Sequence, residues 1–144
     1  MFSKSKPAVF LLLLTSCSLL ETEVSLVASD VSYVYDGDTI TFHCVDGYHC
    51  DKGKTKVRVK GVDTPEIKAE CRQEKELAWE AKQHTVAVLR GAGKITLVIE
   101  DAYPYDRYQR LLAYVYIDGF GLHDSLIKRG LGRAYDGGKR MSWC

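Results

Sequence analysis

Acidic residues in two short stretches of the sequence are of the type that binds a hard metal ion. Asp38 lies in the stretch 36–39 (DGDT), and Asp63 is followed by Thr64 and Pro65. Pro65 favours an extended conformation at Thr64, so that the Thr64 carbonyl can supply a third oxygen. Oxygen ligands on a loop, completed by waters, fit calcium better than zinc or copper. The two stretches therefore predict a Ca²⁺ site formed by Asp38, Asp63 and the Thr64 carbonyl.

Two arginines and a glutamate could act on a phosphate ester beside such an ion. Arg58 and Arg110 each offer a planar set of donors that matches two phosphate oxygens. Glu66 follows the metal-binding stretch closely, where it could orient or deprotonate a water molecule. Attack on a phosphodiester adds negative charge to its oxygens, and two arginines with a cation stabilise that charge. These residues predict a catalytic site for phosphodiester hydrolysis.

Each stretch also has an ordinary structural interpretation. Asp36-Gly37 is a strong signal for a turn between two strands. Arg58 lies on an alternating strand and could simply face solvent. The stretch 106–110 (DRYQR), taken alone, is a solvated charged loop. The functional interpretation requires all three stretches to meet at one place.

Alternation of apolar and polar residues indicates the strands that would position these residues. The five predicted strands are centred on residues 31–35, 40–44, 57–59, 95–99 and 111–117. Helical spacing from about Glu70 to Arg90 predicts one long amphipathic helix, ended by Gly91 and Gly93. Its predicted apolar face consists of Leu77, Ala81, Thr85 and Val88. A short helix around residues 122–126 follows the last strand.

This order of elements predicts an α+β fold that is mainly β. The prediction is a small, partly open five-stranded barrel of the oligonucleotide/oligosaccharide-binding (OB) kind, with about three helices. The chain has 144 residues and a formal net charge of +1, which suits one folded domain and excludes a binder that works by bulk positive charge. Any contact with nucleic acid must therefore be local.

The N-terminal residues resemble an export signal. Lys4 and Lys6 precede a short apolar run that ends in Leu14-Thr15-Ser16-Cys17, and this pattern is similar to a bacterial lipoprotein signal. We therefore expect residues 1–16 to be a signal peptide, Cys17 to be lipidated and residues 17–29 to be a polar tether. Ordinary cleavage with free secretion is the alternative. Either way the chain is exported, as a cell-envelope lipoprotein with a membrane anchor or as a secreted protein.

Four cysteines remain in the predicted domain, residues 30–144. They are Cys44, Cys50, Cys71 and Cys144. An even number of cysteines in an exported chain suggests two disulfides, for which three pairings exist. One of these pairs Cys44 with Cys50 in a hairpin and leaves Cys71 to hold the C-terminal Cys144, but the sequence does not decide among them. A metal–thiolate site is a rival interpretation, although no Cys-x-x-Cys pair is present.

Taken together, the motifs resemble the thermonuclease (staphylococcal nuclease-like) family. The resemblance rests on DGDT at 36–39, Arg58 followed by VDTPE at 62–66, and DRYQR at 106–110 followed by LAYV at 112–115. It extends from about Val31 to Leu131 in the same order and with similar spacing. It implies a five-stranded OB-like barrel and a calcium-dependent enzyme. Such an enzyme cuts DNA and RNA with little sequence preference and leaves 3′-phosphate ends.

The resemblance also implies roles for individual residues. Asp38, Asp63 and the Thr64 carbonyl would bind calcium, and the catalytic positions would be Arg58, Glu66 and Arg110. Tyr108 would contact the nucleotide. We expect the protein to act as a monomer on DNA and RNA.

Two features depart from the family pattern. Gln109 stands where the family often has glycine, which predicts strain if this position needs a positive φ. After Leu131 the similarity fades, and Tyr135 is the nearest candidate for a nucleotide-stacking tyrosine. A non-catalytic OB-fold module that only binds nucleic acid is the alternative function. The complete set of acidic and arginine positions favours the enzyme.

Overall fold

The computed structural model describes residues 20–144. The predicted signal peptide and Cys17 lie outside the described residues. The elements, in chain order, are β1 Thr22–Leu26, β2 Val31–Asp36, β3 Thr39–His43, β4 Lys54–Val59, β5 Gly61–Asp63, α1 Arg72–Arg90, β6 Ile95–Ile99, β7 Leu111–Ile117, β8 Phe120–Gly121, α2 Leu122–Lys128 and β9 Arg133–Tyr135. The fold is mixed α+β and mainly sheet, as predicted.

The five predicted strands are all present, as β2, β3, β4, β6 and β7. They belong to one sheet with the order β1-β6-β7-β4-β3-β2, and β8 pairs with β7. Neighbouring strands are antiparallel except β4 and β7, which are parallel. The short strands β5 and β9 form a separate antiparallel pair. The parallel pair matters for the site because it joins the third predicted strand directly to the last.

Part of the predicted tether is a strand. Thr22–Leu26 pairs with β6 in antiparallel register, from Thr22 opposite Ile99 to Leu26 opposite Ile95. Val24 and Leu26 are half-buried against the core, because alternate residues of a strand face the same side. The tether prediction was therefore wrong for this segment. A 3₁₀ turn at Ala28–Asp30 joins β1 to β2, so that the described residues contain two α-helices and this one turn.

Helix α1 packs its small residues against the sheet. The helix begins after Cys71, whose sulfur accepts a hydrogen bond from the Glu74 backbone, and it ends at Arg90, with Gly91 as its C-cap. Its buried residues are Ala78, Ala81, Thr85 and Leu89. The predicted apolar face was therefore partly wrong, since Leu77 and Val88 at its edges are only half-buried. Small side chains at Ala78 and Ala81 let the helix axis approach the sheet closely.

Both disulfides are formed. Cys44 pairs with Cys50 in the loop between β3 and β4, and Cys71 pairs with Cys144. The second bridge connects the start of α1 to the last residue of the chain, across a separation of 73 residues. In residues 20–144, no helix is both long and apolar enough to span a membrane.

Candidate active site

The turn between β2 and β3 is fixed by contacts from helix α1. The Thr85 hydroxyl donates a hydrogen bond of 2.8 Å to the Gly37 carbonyl, inside the core. A Cβ atom at Gly37 would lie 2.8 Å from the Thr64 methyl and 2.9 Å from the Ala81 Cβ. Glycine is therefore required for a close approach between the turn, α1 and the Thr64 segment. This contact places the acidic residues of the turn beside those of the second stretch.

The three predicted calcium ligands lie together. The Asp38 and Asp63 side chains are almost completely buried, and Asp38 Oδ2 accepts a hydrogen bond of 2.9 Å from the Thr64 backbone N–H. One nitrogen of Arg58, Nη2, lies 3.3 Å from Asp38 Oδ2 and 3.6 Å from Asp63 Oδ1. The Asp38 and Asp63 carboxylates thus lie against the same guanidinium nitrogen, and burying their negative charges requires positive charge nearby.

Arg58 is held rigidly in this position. Its Nη1 donates to the carbonyls of Val59 at 2.6 Å and Val62 at 2.9 Å. On β4 it stands opposite Thr39 of β3, directly after the acidic turn. The alternative in which Arg58 simply faces solvent is therefore wrong, because the side chain is buried against two carboxylates. Its hydrogen bonds to backbone carbonyls orient the guanidinium group before any substrate arrives.

Arg110 approaches the same place from the loop before β7. Its Nη1 donates to the Thr39 hydroxyl at 3.1 Å, and its Nε pairs with Asp106 Oδ2 at 2.7 Å. The other oxygen of Asp106 accepts from the backbone N–H groups of Tyr108 and Arg110. Asp106 therefore stabilises the loop and orients the Arg110 side chain toward Thr39. The sequence pattern alone does not indicate a separate role for Asp106, although its spacing from Arg110 is that of a closed turn.

Gln109 has the strained backbone conformation that the sequence predicted. Its φ is +61°, in the left-handed region that favours glycine. The strain does not remove Arg110 from the site, because the contacts of Arg110 with Asp106 and Thr39 are retained.

An open cleft of about 730 Å³ lies next to these groups. The predicted residues that line it are Asp38, Arg58, Glu66, Tyr108 and Arg110, and Tyr135 lines it as well. Tyr108 is exposed, and the guanidinium carbons of Arg107 and Arg110 lie 4.8 and 5.5 Å from its ring centre. The Tyr135 ring lies 5.8 Å from the Arg58 guanidinium carbon. The cleft thus combines arginines, acids and aromatic rings.

Asp36 is a buried carboxyl next to the acidic site, by which we mean the Asp38 and Asp63 carboxylates with the Thr64 carbonyl. Burial raises its pKa from 3.8 to about 7, and the neighbouring charges of Asp38 and Glu66 act in the same direction. Its Oδ1 accepts from the Asp38 backbone N–H at 3.2 Å. Near neutral pH, Asp36 is therefore partly protonated in the folded protein.

Sequence reasoning missed the C-terminal segment, residues 136–144. Arg140 Nε pairs with Asp63 Oδ1 at 2.6 Å, and Arg140 Nη1 pairs with Glu66 Oε1 at 2.6 Å. The Trp143 indole N–H donates to Asp63 Oδ2 at 3.3 Å. The one signal for this placement was Cys144, because a disulfide from the last residue to Cys71 brings the segment to the site.

The residues present fit a hard cation. Both Asp63 and the Thr64 carbonyl accept from the guanidinium group of Arg140, with 3.4 Å between Arg140 Nη2 and the carbonyl oxygen. A positively charged group of this chain thus already stands against two of the three predicted ligands. The donor set consists of carboxylate and carbonyl oxygens, the type that calcium prefers.

Comparisons with known proteins identify the family of this chain. Residues 56–142, more than half of the chain, match the family described as staphylococcal nuclease homologue, whose domain is OB-fold-like, as predicted. The chain is 33% identical to endonuclease YncB of Bacillus subtilis (strain 168) over 113 residues, which are 78% of this chain and 50% of YncB. It is 35% identical over 77 residues to the SPbeta prophage-derived endonuclease YokF of the same organism, covering 54% of this chain and 26% of YokF.

The chain thus spans half the length of one relative and about a quarter of the other. The matched range includes Arg58, Glu66 and Arg110, which line the cleft, and Asp63, which lies beside Arg58. On that match, this chain belongs to the staphylococcal nuclease homologue family.

Proposed function

We propose that the protein is a calcium-dependent nuclease that hydrolyses phosphodiester bonds of DNA and RNA with low sequence specificity and leaves 3′-phosphate ends. The observation that carries this proposal is the convergence of Asp38, Arg58, Glu66 and Arg110 on one cleft, with Asp63 buried beside Arg58. Relatives named endonucleases support the same class of reaction.

In this proposal, Asp38, Asp63 and the Thr64 carbonyl hold the calcium ion. Bound calcium supplies positive charge beside the phosphate and reduces the repulsion that an attacking water would meet. Asp38 and Asp63 are almost fully buried, so that a cation offsets the cost of burying their charges.

The residues of the chain perform the remaining steps. Arg58 and Arg110 donate hydrogen bonds to the phosphate oxygens, which gain negative charge as water attacks phosphorus. Glu66 accepts the proton of that water. The bond between phosphorus and the 5′ oxygen breaks, the 5′ oxygen takes up a proton from solvent water, and the phosphate stays on the 3′ side. The fixed orientation of Arg58 lowers the cost of reorganisation during this step.

Aromatic side chains of the cleft account for low sequence specificity. Tyr108 is exposed, and the Tyr135 ring lies 5.8 Å from the Arg58 guanidinium carbon. Stacking of a base on an aromatic ring is tolerant of sequence, because every base has a flat face. We therefore assign Tyr108 to substrate binding, with Tyr135 as a second stacking position.

The test is cleavage of single-stranded DNA and of RNA by the purified protein, with calcium or with a chelator. We expect cleavage in calcium only. Arg58→Lys keeps the positive charge against Asp38 and Asp63 but loses the two-pronged donor, and it should reduce kcat by about 10²–10³-fold, the range for lost oxyanion donors. Arg90→Lys, an exposed position at the end of α1, is the matched control.

Glu66→Gln tests the proton acceptor. The side chain is half-exposed, so that the variant should fold normally while its rate falls strongly. Cleavage that persists in chelator and survives both Arg58→Lys and Glu66→Gln would refute this mechanism. Tight binding of DNA without cleavage at any calcium concentration would support a non-catalytic binding module instead.

We also propose that the protein is exported as a monomer and anchored to the cell envelope by lipid at Cys17. Two disulfides fit an oxidising compartment. A Cys17→Ser variant should leave the membrane fraction and appear as soluble protein. If Cys17→Ser remains in the membrane fraction, lipidation is not the anchor. Size-exclusion chromatography of the soluble variant then measures its oligomeric state, and we expect the elution volume of a monomer.

A further inference from the structure

Two contacts hold the C-terminal segment, residues 136–144, beside the Asp63 carboxylate. Cys144 is bonded to Cys71 at the start of α1. Trp143 is buried, with the Arg133 guanidinium carbon 3.8 Å from its ring centre, and Arg133 also donates to the Ser142 carbonyl at 2.8 Å. These contacts hold the segment against the protein.

Arg140 lies in the chain between β9 and these two contacts, and its side chain reaches the Asp63 carboxylate. Its three nitrogens face Asp63 Oδ1, Glu66 Oε1 and the Thr64 carbonyl. Two of these groups are proposed calcium ligands, and the third is the proposed proton acceptor. Since Trp143 donates to the other oxygen of Asp63, the segment occupies both oxygens of that carboxylate.

We propose that Arg140 is a tethered competitor of calcium, which occupies the ligands Asp63 and Thr64 when the ion is absent and must leave them when it binds. The inference rests on the proposed calcium site. Arg140 Nε lies 2.6 Å from Asp63 Oδ1, in direct hydrogen-bond contact, whereas Arg58 Nη2 lies 3.6 Å from the same oxygen. A calcium ion on Asp63 Oδ1 and the Thr64 carbonyl would meet the positive charge of Arg140 at both oxygens.

The burial of the two arginines at the site distinguishes their roles. The Arg58 side chain is 11% exposed and bonded to two backbone carbonyls, so it stays in place. The Arg140 side chain is 43% exposed, and solvent can receive its charge when it moves away. Arg140 is therefore the displaceable cation of the site and Arg58 the permanent one.

Competition of this kind lowers the apparent calcium affinity without destroying the site. The apparent Kd equals the intrinsic Kd divided by the fraction of molecules in which the ligands are free. If Arg140 leaves them in roughly one molecule in five to ten, its removal tightens calcium binding by about five- to ten-fold. Withdrawal of Arg140 also frees Glu66, so that one movement prepares both the ion site and the proton acceptor.

The Cys71–Cys144 bond sets how strongly Arg140 competes. Tethering keeps the effective concentration of the guanidinium group near the site high. Loss of the bond should therefore raise the calcium affinity in the same direction as loss of Arg140. Serine at position 71 can still accept the hydrogen bond that begins α1, which makes the paired Cys71→Ser/Cys144→Ser variant suitable for this purpose.

The experiment is isothermal titration calorimetry of the full protein with calcium chloride. Arg140→Gln removes the competitor, and Lys139→Gln removes the same charge from the neighbouring exposed position. We expect Arg140→Gln to bind calcium about five- to ten-fold more tightly than the wild type, Lys139→Gln to match the wild type, and the paired serine variant to bind more tightly as well. Equal affinity in Arg140→Gln and Lys139→Gln, or weaker binding in Arg140→Gln, overturns the proposal.

Parallel cleavage assays separate this inference from the proposed function. If the wild type cleaves DNA only with calcium but Arg140→Gln shows no gain in affinity, the competition is wrong and the nuclease proposal stands. If the wild type and Arg140→Gln both bind no calcium, the competition is wrong, and cleavage in chelator would then also remove calcium from the proposed mechanism.

Discussion

Replacement of Asp36 by asparagine tests the electrostatics of the acidic turn. Asparagine has nearly the same shape, and its side-chain oxygen can still accept from the Asp38 backbone N–H. Burial and the neighbouring charges of Asp38 and Glu66 raise the pKa of Asp36 from 3.8 to about 7. Between these two values the folded protein holds a proton that the unfolded chain releases. The wild type must therefore lose stability as the pH rises through this range.

The size of the effect follows from the pKa values. One pKa unit corresponds to about 1.4 kcal/mol, so the difference between 3.8 and about 7 corresponds to about 4 kcal/mol. Asp36→Asn has no proton to lose. The free energy of unfolding of Asp36→Asn minus that of the wild type should therefore rise by about 4 kcal/mol between pH 4 and pH 8, and it should be constant at higher pH.

Urea denaturation in chelator at pH values from 4 to 8.5 measures this difference. Asp136→Asn is the control, because Asp136 also accepts a hydrogen bond from a backbone N–H two residues later, at Gly138, but in solvent. We expect its stability to follow the wild type at every pH. If the Asp36→Asn difference does not change with pH, or falls as the pH rises, the buried carboxyl is charged throughout and our account of the turn is wrong.

Three further predictions concern stability, and each is measured by urea denaturation. Loss of the Cys71–Cys144 bond, whose loop spans 73 residues, should lower the free energy of unfolding by about 4 kcal/mol. Loss of the Cys44–Cys50 bond, with a separation of 6, should lower it by about 2 kcal/mol. Equal losses would contradict an origin in loop entropy. Gln109→Gly should raise stability by about 0.5–1 kcal/mol, because glycine adopts a positive φ without strain. Gln109→Ala should remain close to the wild type. A destabilised Gln109→Gly would show that the backbone at position 109 is not strained. Thr85→Val should cost about 1–3 kcal/mol by leaving the buried Gly37 carbonyl without its donor, and an unchanged stability would show that the bond does not hold the turn.

The main elements of the fold were predictable because their signals are local. Alternation identified β2, β3, β4, β6 and β7, and helical spacing identified α1. The strand β1 was missed because a five-residue segment with glutamate and serine has weak alternation, and its pairing with β6 is a long-range contact. The buried face of α1 was partly wrong because the close approach to the sheet selects alanine at position 78 over the larger neighbour, Leu77.

Some residues of the candidate site have a local signal in the sequence, and others do not. The stretches that contain Asp38, Glu66 and Arg110 have recognisable spacing, and the structure brings these three residues to one cleft. The role of Arg140 has no local signal, since its contacts with Asp63 and Glu66 join residues more than 70 positions apart. The terminal cysteine was the one clue, and it becomes informative only when its partner is known.

The parallel pairing of β4 with β7 has a consequence for how this chain tolerates changes in length. In this register Arg58 stands opposite Leu112, two residues after Arg110. The spacing of the two arginines thus depends on hydrogen bonds between the strands, and the number of residues in the intervening connection does not enter it. Insertions in the exposed loop after Gly91 should leave the arginines aligned, whereas deletion of one residue among 54–57 would turn Arg58 to the opposite face of the sheet.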